Sequence, residues 1–217
     1  MLDYLAARTA MVDGQIRPSD VTLYPILEAM LAVPREMFVP TQSRKIAYAG
    51  AHIDLGDARI VMDPRILAKM LQALKIQPNE LVLHVGAGFG YATAVMARMA
   101  EAVIAVEEDA NFAAEAETRL SEQSADNAIM HIGALAAGAP AHGPYDVILI
   151  EGGVEVLPES LRAQLKAGGR IAYIQMDGPN GQCRLGLATS NGINWRSVFD
   201  ATAPVLPTFA ADAGFTF

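Results

Sequence analysis

The chain has 217 residues, 52% hydrophobic and 18% charged, with 16 basic against 24 acidic side chains and a net charge of −8. That length supports one substantial core with an accessory segment and leaves little room for two full domains. The negative charge, with no basic patch to offset it, repels phosphate backbones and anionic lipid, so neither a nucleic-acid nor a membrane partner is expected.

In chain order, residues 2–14, 23–31 and 64–74 read as helices, the second with Ile26, Leu27, Met30 and Leu31 at helical spacing and the third with Pro64 suited to a first turn. Residues 40–63 read as irregular. The character changes at Pro78-Asn79. Beyond it, strands over 81–85, 102–106, 129–132, 147–150 and 170–174 alternate with helices over 91–99, 110–121 and 158–165, and the alanine-rich stretch 133–141 reads as a loop. Such alternation predicts an α/β fold with a doubly wound parallel sheet. Runs over 182–189 and 195–200 flank Asn191-Gly192, a turn signal that predicts an antiparallel hairpin at the end. The chain therefore divides into residues 1–78, an N-terminal helical extension with a covering loop, and residues 79–217, a Rossmann-like core with a C-terminal hairpin.

The most informative run is LVLHVGAGFGYATA, residues 81–94. An apolar strand breaks into Gly86, Gly88 and Gly90 and resumes with helical spacing, which lets backbone approach a ligand closely. The third glycine follows the second by two places, whereas a dinucleotide fingerprint needs three, so a nucleoside without phosphates, such as S-adenosylmethionine, is favoured. Glu107 closes the next apolar run at the place where an acid can grip a ribose diol. Its alternative is a solvated acid at a strand end, and Asp109 reads as a helix N-cap.

Cys183 is the one cysteine, which excludes an internal disulfide, and His52, His84, His131 and His142 show no metal-ligand spacing. A reducing, cytoplasmic compartment and no metal are expected. The opening residues carry Asp3, Arg8, Asp13, Arg17 and Asp20, which interrupt any signal-like apolar run, and no stretch is apolar enough to span a bilayer.

Three stretches carry a resemblance: MVDGQIRPSDVTLYPILEAMLAVPREMFVP, LVLHVGAGFGYATAVMARMAEAVIAVEED and GPYDVILIEGGVEVLPESLRAQLKAGGRIAYI. Together, and in this order over nearly the whole chain, they resemble the protein-L-isoaspartate O-methyltransferases. The segment Val33 to Pro40 followed by Ala47-Tyr48-Ala49 is the most specific part. The resemblance implies a class I S-adenosylmethionine-dependent methyltransferase that esterifies the carboxylate of isoaspartyl residues in damaged proteins or peptides. A carboxylate is a competent nucleophile and a sulfonium an activated donor, so alignment and desolvation can suffice without a strong base. It also implies that Gly86, Ala87, Gly88 and Gly90 underlie the donor, with Glu107 on its ribose, Glu108 beside the adenine and the backbone of Ala134 and Leu135 near the base.

The chain departs from the family pattern at several places. His84 stands where an acid usually precedes the glycines, and Gly133-Ala134-Leu135 replaces G-D-G. In the loop LGDARIVMDP, residues 55–64, Ile60 and Met62 replace the threonine and serine that face donor and substrate. Losing such a contact to a charged group costs roughly 1.5–3 kcal/mol. Arg59 is then the candidate partner of the substrate carboxylate, its alternative being a surface arginine, and Met62 marks the family serine's position. Glu151, after VILI, either attracts a cation or faces solvent. Two other functions stay open: a same-fold methyltransferase of another substrate, favoured by Ile60, Met62 and Glu151, and a non-catalytic binding module, favoured by His84 and Ala134. The oligomeric state is left open.

Overall fold

The computed structural model describes residues 3–211. Helix α1, Tyr4–Met11, starts where the Asp3 side chain accepts a hydrogen bond from the Ala6 N–H, and it widens into a π turn over Val12–Ile16. The helix expected over 2–14 is therefore α-helical to Met11 and π-helical beyond, and its first residue lies outside the described range. Helix α2 spans Tyr24–Ala32 and α3 spans Pro64–Leu74. In α3, Asp63 caps the start, Pro64 occupies the first turn and Lys75 ends it in a left-handed conformation. Residues 40–63 are more ordered than their sequence suggests: after a 3₁₀ stretch at Thr41–Ile46 they form a two-stranded antiparallel hairpin, β1 Ile53–Gly56 and β2 Arg59–Val61.

Beyond residue 78 the alternation takes shape as β3 Leu81–Val85, α4 Tyr91–Ala97, β4 Ala102–Glu107, α5 Ala110–Glu122, β5 Ala128–Ile132, β6 Tyr145–Val154, α6 Glu159–Arg162, β7 Leu165–Asp177, β8 Asn180–Thr189 and β9 Gly192–Asp200. These strands form one seven-stranded sheet in the order β5-β4-β3-β6-β7-β8-β9. The first five strands of that order run parallel, and β8 and β9 are antiparallel additions. Several boundaries differ from expectation: β6 and β7 run past 147–150 and 170–174 at both ends, and α4 stops at Ala97 rather than at residue 99. The helix expected over 158–165 is the single turn α6, because Leu165 already pairs with Tyr145 as the start of β7. The β8–β9 turn is Ser190-Asn191, one residue early, since Thr189 pairs with Gly192.

Side chains alternate across the central strands. Leu83, Val85, Ile104, Val106, Ile148 and Ile150 pack on one face with Leu161, Leu206 and Phe209. Val82, Val103, Val147 and Leu149 pack on the other, continuous with Met11, Ile26, Met30 and Leu67 of the N-terminal layer. By the same alternation His84, Glu107 and Glu151 point towards that N-terminal layer. The strand order reverses between β3 and β6, and the crevice outside the carboxyl ends at such a reversal is where this architecture places ligands.

Candidate active site

The turn after β3 is built on three glycines with φ of +82°, +52° and +88° at Gly86, Gly88 and Gly90. A Cβ at Gly86 would sit 3.0 Å from the Glu151 carbonyl oxygen, a backbone atom that cannot turn aside. The N–H groups of Gly86 and Ala87 both donate to Val106 O, at 3.1 and 3.2 Å, and that of Gly90 donates to Ala87 O at 2.8 Å. Gly88 N–H donates to Glu107 Oε2 at 3.0 Å. Those four donors are committed internally and so are not free for a ligand phosphate.

Glu107 is fully buried at the end of β4. Besides Gly88, its carboxylate accepts from the N–H groups of Glu108 and Asp109 at 2.9 and 3.2 Å. Arg59 Nε then donates to both of its oxygens at 3.1 Å each. The same guanidinium reaches Glu108 Oε1 at 2.7 Å through Nη2 and the Asp57 carbonyl at 3.2 Å through Nη1. Burial by itself would lower the Arg59 pKa, but the hydrogen bond and charge of Glu107, then those of Glu108, outweigh it and hold the guanidinium above its usual range. Arg59 is delivered there by the β1–β2 hairpin, whose tip carries positive φ at Gly56, Asp57 and Ala58. Leu55 of the same hairpin packs on the glycine turn, 2.9 Å from where a Gly88 Cβ would stand.

A second buried group lies at the other end of the hairpin. Glu151, 2% exposed, accepts from Met62 N–H at 3.0 Å and lies 3.1 Å from His84 Nε2, at an angle outside that of a directed hydrogen bond. His84 Nδ1 is 2.8 Å from Thr93 Oγ1. Arg35, fully buried, donates to the carbonyls of Ala47, Val61 and Met62 at 2.7, 3.3 and 2.7 Å and stacks 4.8 Å from the Tyr91 ring. Desolvation lowers its pKa, against the opposing pull of Tyr91 and Glu151.

Glu107, Glu108 and the four turn residues come together as the sequence implied. Ala134 and Leu135 follow β5, Ala134 exposed and Leu135 buried in the core. Arg59 is neither on the surface nor free to meet a substrate, because its guanidinium is committed to Glu107 and Glu108. The Ile60 and Met62 side chains are core residues, 3% and 0% exposed. Glu151 does not face solvent, and His84 lies against the side chains of Thr93 and Glu151. Arg35 and Thr93 were missed; only Arg35 had a signal, its place inside the VPRE segment. A cavity of 470 Å³ lies elsewhere, between the end of α3 and the β8–β9 ribbon, lined by Leu74, Arg170, Leu187 and Trp195. Of its two arginines Arg170 is committed to Glu80, and neither histidine nor cysteine lines it. Among the described residues no cluster of histidine, cysteine and acid has metal-binding geometry.

An adenosyl group needs the bent backbone and the buried carboxylate found here, and the space beside them holds Arg59 and Leu55. The residues therefore fit the donor only with the hairpin withdrawn.

Comparison with known proteins points one way. The family model for protein-L-isoaspartate(D-aspartate) O-methyltransferase matches residues 7–183. A protein-L-isoaspartate O-methyltransferase of Methylorubrum extorquens (strain PA1) is 40% identical over 185 residues, covering 85% of this chain and 80% of the relative. One from Rhodopseudomonas palustris (strain ATCC BAA-98 / CGA009) is also 40% identical, over 161 residues and 74% of each chain. Among solved structures, a protein-L-isoaspartate O-methyltransferase superposes with a TM-score of 0.80 at 24% identity, covering 91% of this chain and 65% of that one. A Plasmodium falciparum protein named for the same activity, in complex with S-adenosyl-L-homocysteine, superposes at 0.79 with 18% identity, covering 92% and 97%. These two likenesses show the fold.

Proposed function

The chain belongs to the protein-L-isoaspartate(D-aspartate) O-methyltransferase family, and from that premise we propose that it methylates the carboxylate of isoaspartyl residues in damaged proteins or peptides, with S-adenosyl-L-methionine as donor. The observation that carries this reading is that the family match runs unbroken from α1 to β8, through the glycine turn, Glu107 and the hairpin. The donor supplies an activated methyl group on a sulfonium. Gly86, Ala87, Gly88 and Gly90 would lie beneath it, Glu107 on its ribose hydroxyls, Glu108 near the adenine, and the backbone at Ala134 and Leu135 along the base. Residues 1–78 form the helical extension together with the loop that would cover donor and substrate, and residues 79–217 the core.

The substrate carboxylate is anionic at neutral pH, so this chain has to align and desolvate it and needs no base to activate it. Arg59, once released from Glu107, is the cation within reach for that carboxylate. Met62 contributes backbone alone, since its side chain is in the core and its N–H is held by Glu151. The surplus of acid argues against nucleic-acid and anionic-membrane partners. No helix of the described residues is long and apolar enough to cross a membrane, and the lone cysteine suits a cytoplasmic setting. The test is incubation with labelled donor and an isoaspartyl peptide beside its normal aspartyl twin. Label on the isoaspartyl peptide alone is expected, and label on neither removes the repair assignment.

A further inference from the structure

The carboxylate proposed to receive the donor already has a full complement of partners. Glu107 Oε1 accepts from Arg59 Nε, Glu108 N–H and Asp109 N–H, and Oε2 from Arg59 Nε and Gly88 N–H. A carboxylate offers about four lone-pair sites, so a ribose diol cannot add two hydrogen bonds while Arg59 keeps its own. Leu55 covers the adjoining face at Gly88, where the ligand backbone contact would form. Steric filling and hydrogen-bond saturation thus come from one element, the hairpin of residues 53–61.

That element is held differently at its tip and at its base. Its two strands pair only with each other and add nothing to the main sheet. Two-stranded ribbons of this kind depend on outside contacts, and the core contacts of this one lie at Ile53, Ile60 and Val61, away from its tip. The ladder slips between Asp54 and Gly56, and the non-glycine residues Asp57 and Ala58 follow Gly56 in the left-handed region, a conformation that has to be held in place. What holds the tip is Arg59. The other end is fixed independently, by Arg35 on the carbonyls of Val61 and Met62 and by Glu151 on Met62 N–H. Release of Arg59 therefore frees the tip while the base stays anchored.

We propose that the β1–β2 hairpin is an autoinhibitory plug, with the Arg59 guanidinium standing in the donor's place on Glu107 and Glu108, so that donor binding requires the tip to swing out about an anchor at Val61 and Met62. This rests on the donor reading above. A ligand that binds only the open form has its apparent affinity reduced by the open fraction, so an open population of about one tenth weakens binding about tenfold.

The experiment is calorimetric titration of the full chain and its Arg59→Ala variant with S-adenosylhomocysteine, together with amide hydrogen exchange of the wild type across residues 53–61 with and without saturating ligand. The variant is expected to bind at least about tenfold tighter. In the wild type, ligand is expected to speed exchange at residues 55–59. Equal or weaker binding by a folded variant, or ligand-induced slowing of exchange in the wild-type hairpin, overturns the plug and leaves the donor reading standing. No saturable heat from either protein overturns the donor reading and the plug with it. Should the variant fail to fold, the wild-type exchange measurement decides by itself.

Discussion

The clamp between Arg59 and Glu107 is asymmetric, and the two halves should differ in what their removal costs. Arg59→Met takes away two hydrogen bonds to Glu107 and one to Glu108, but Glu107 keeps three backbone N–H donors at 2.9–3.2 Å. Hydrogen bonds to charged groups contribute about 1.5–3 kcal/mol each; the Glu108 contact, 32% exposed, counts for less, and the substitution also ends the burial of a guanidinium. A net loss of about 2 kcal/mol follows. Glu107→Ala leaves a buried guanidinium facing only Glu108 and the Asp57 carbonyl and strands three N–H groups besides, which puts its cost at about 4 kcal/mol, within the range for an orphaned buried charge. With a urea slope of about 2 kcal/mol per molar, the unfolding midpoint should fall by about 1 M for Arg59→Met and about 2 M for Glu107→Ala. Because the cationic half is also the plug, its loss should lower stability while raising affinity for S-adenosylhomocysteine. Equal midpoints, or a larger loss for Arg59→Met, would refute the claim that backbone N–H groups sustain the Glu107 charge.

Arg35→Met should cost about 3 kcal/mol in urea unfolding, since three buried carbonyls lose a charged donor and only the end of guanidinium burial offsets it; a change within about 0.5 kcal/mol would show the anchor to be dispensable. Acid should destabilise the fold through Asp63, Glu80 and Asp146. Burial pushes each carboxyl up, but Arg65, Arg170 and Lys166 respectively outweigh it and hold all three below the ordinary 3.8 to 4.5. A carboxylate lowered by folding contributes its full stability above the unfolded value and loses it as pH falls through the folded one. The melting temperature should therefore hold from about pH 7 to about pH 5 and fall below about pH 4, and a rise on acidification would contradict the assignment.

How far the sequence reached depended on whether the information was local. Strand β3 and helix α3 have the expected bounds, because an apolar run closed by glycines and a Pro-led amphipathic run each carry their own stop signals. The hairpin of residues 53–61 was hidden for two reasons. Its second strand is buried at every position and so shows no alternation, and its turn uses Asp57-Ala58, in which alanine gives no hint of a left-handed φ. The position of Arg59 was less accessible still. Spacing put an acid where a ribose is held, yet nothing near Glu107 in sequence announces a cation supplied from 48 residues upstream.

The apolar residues in the hairpin and the arginine beside them belong to one arrangement. Where the family pattern has threonine and serine, Ile60 and Met62 lie in the core at 3% and 0% exposure. A hydroxyl at either place would need a partner, and an unpaired one costs about 1–3 kcal/mol on burial. The hydroxyls therefore cannot be put back into the closed hairpin without loosening it. Apolar side chains at positions 60 and 62 seat the base of the hairpin, Glu151 and Arg35 hold its backbone, and this fixed base allows Arg59 to reach Glu107 with the geometry of a built contact. The loss of hydroxyls from the loop and the closing of the glycine turn are thus two consequences of the same packing. Donor affinity in this chain should depend on how tightly residues 60–62 hold the base as well as on Glu107 itself.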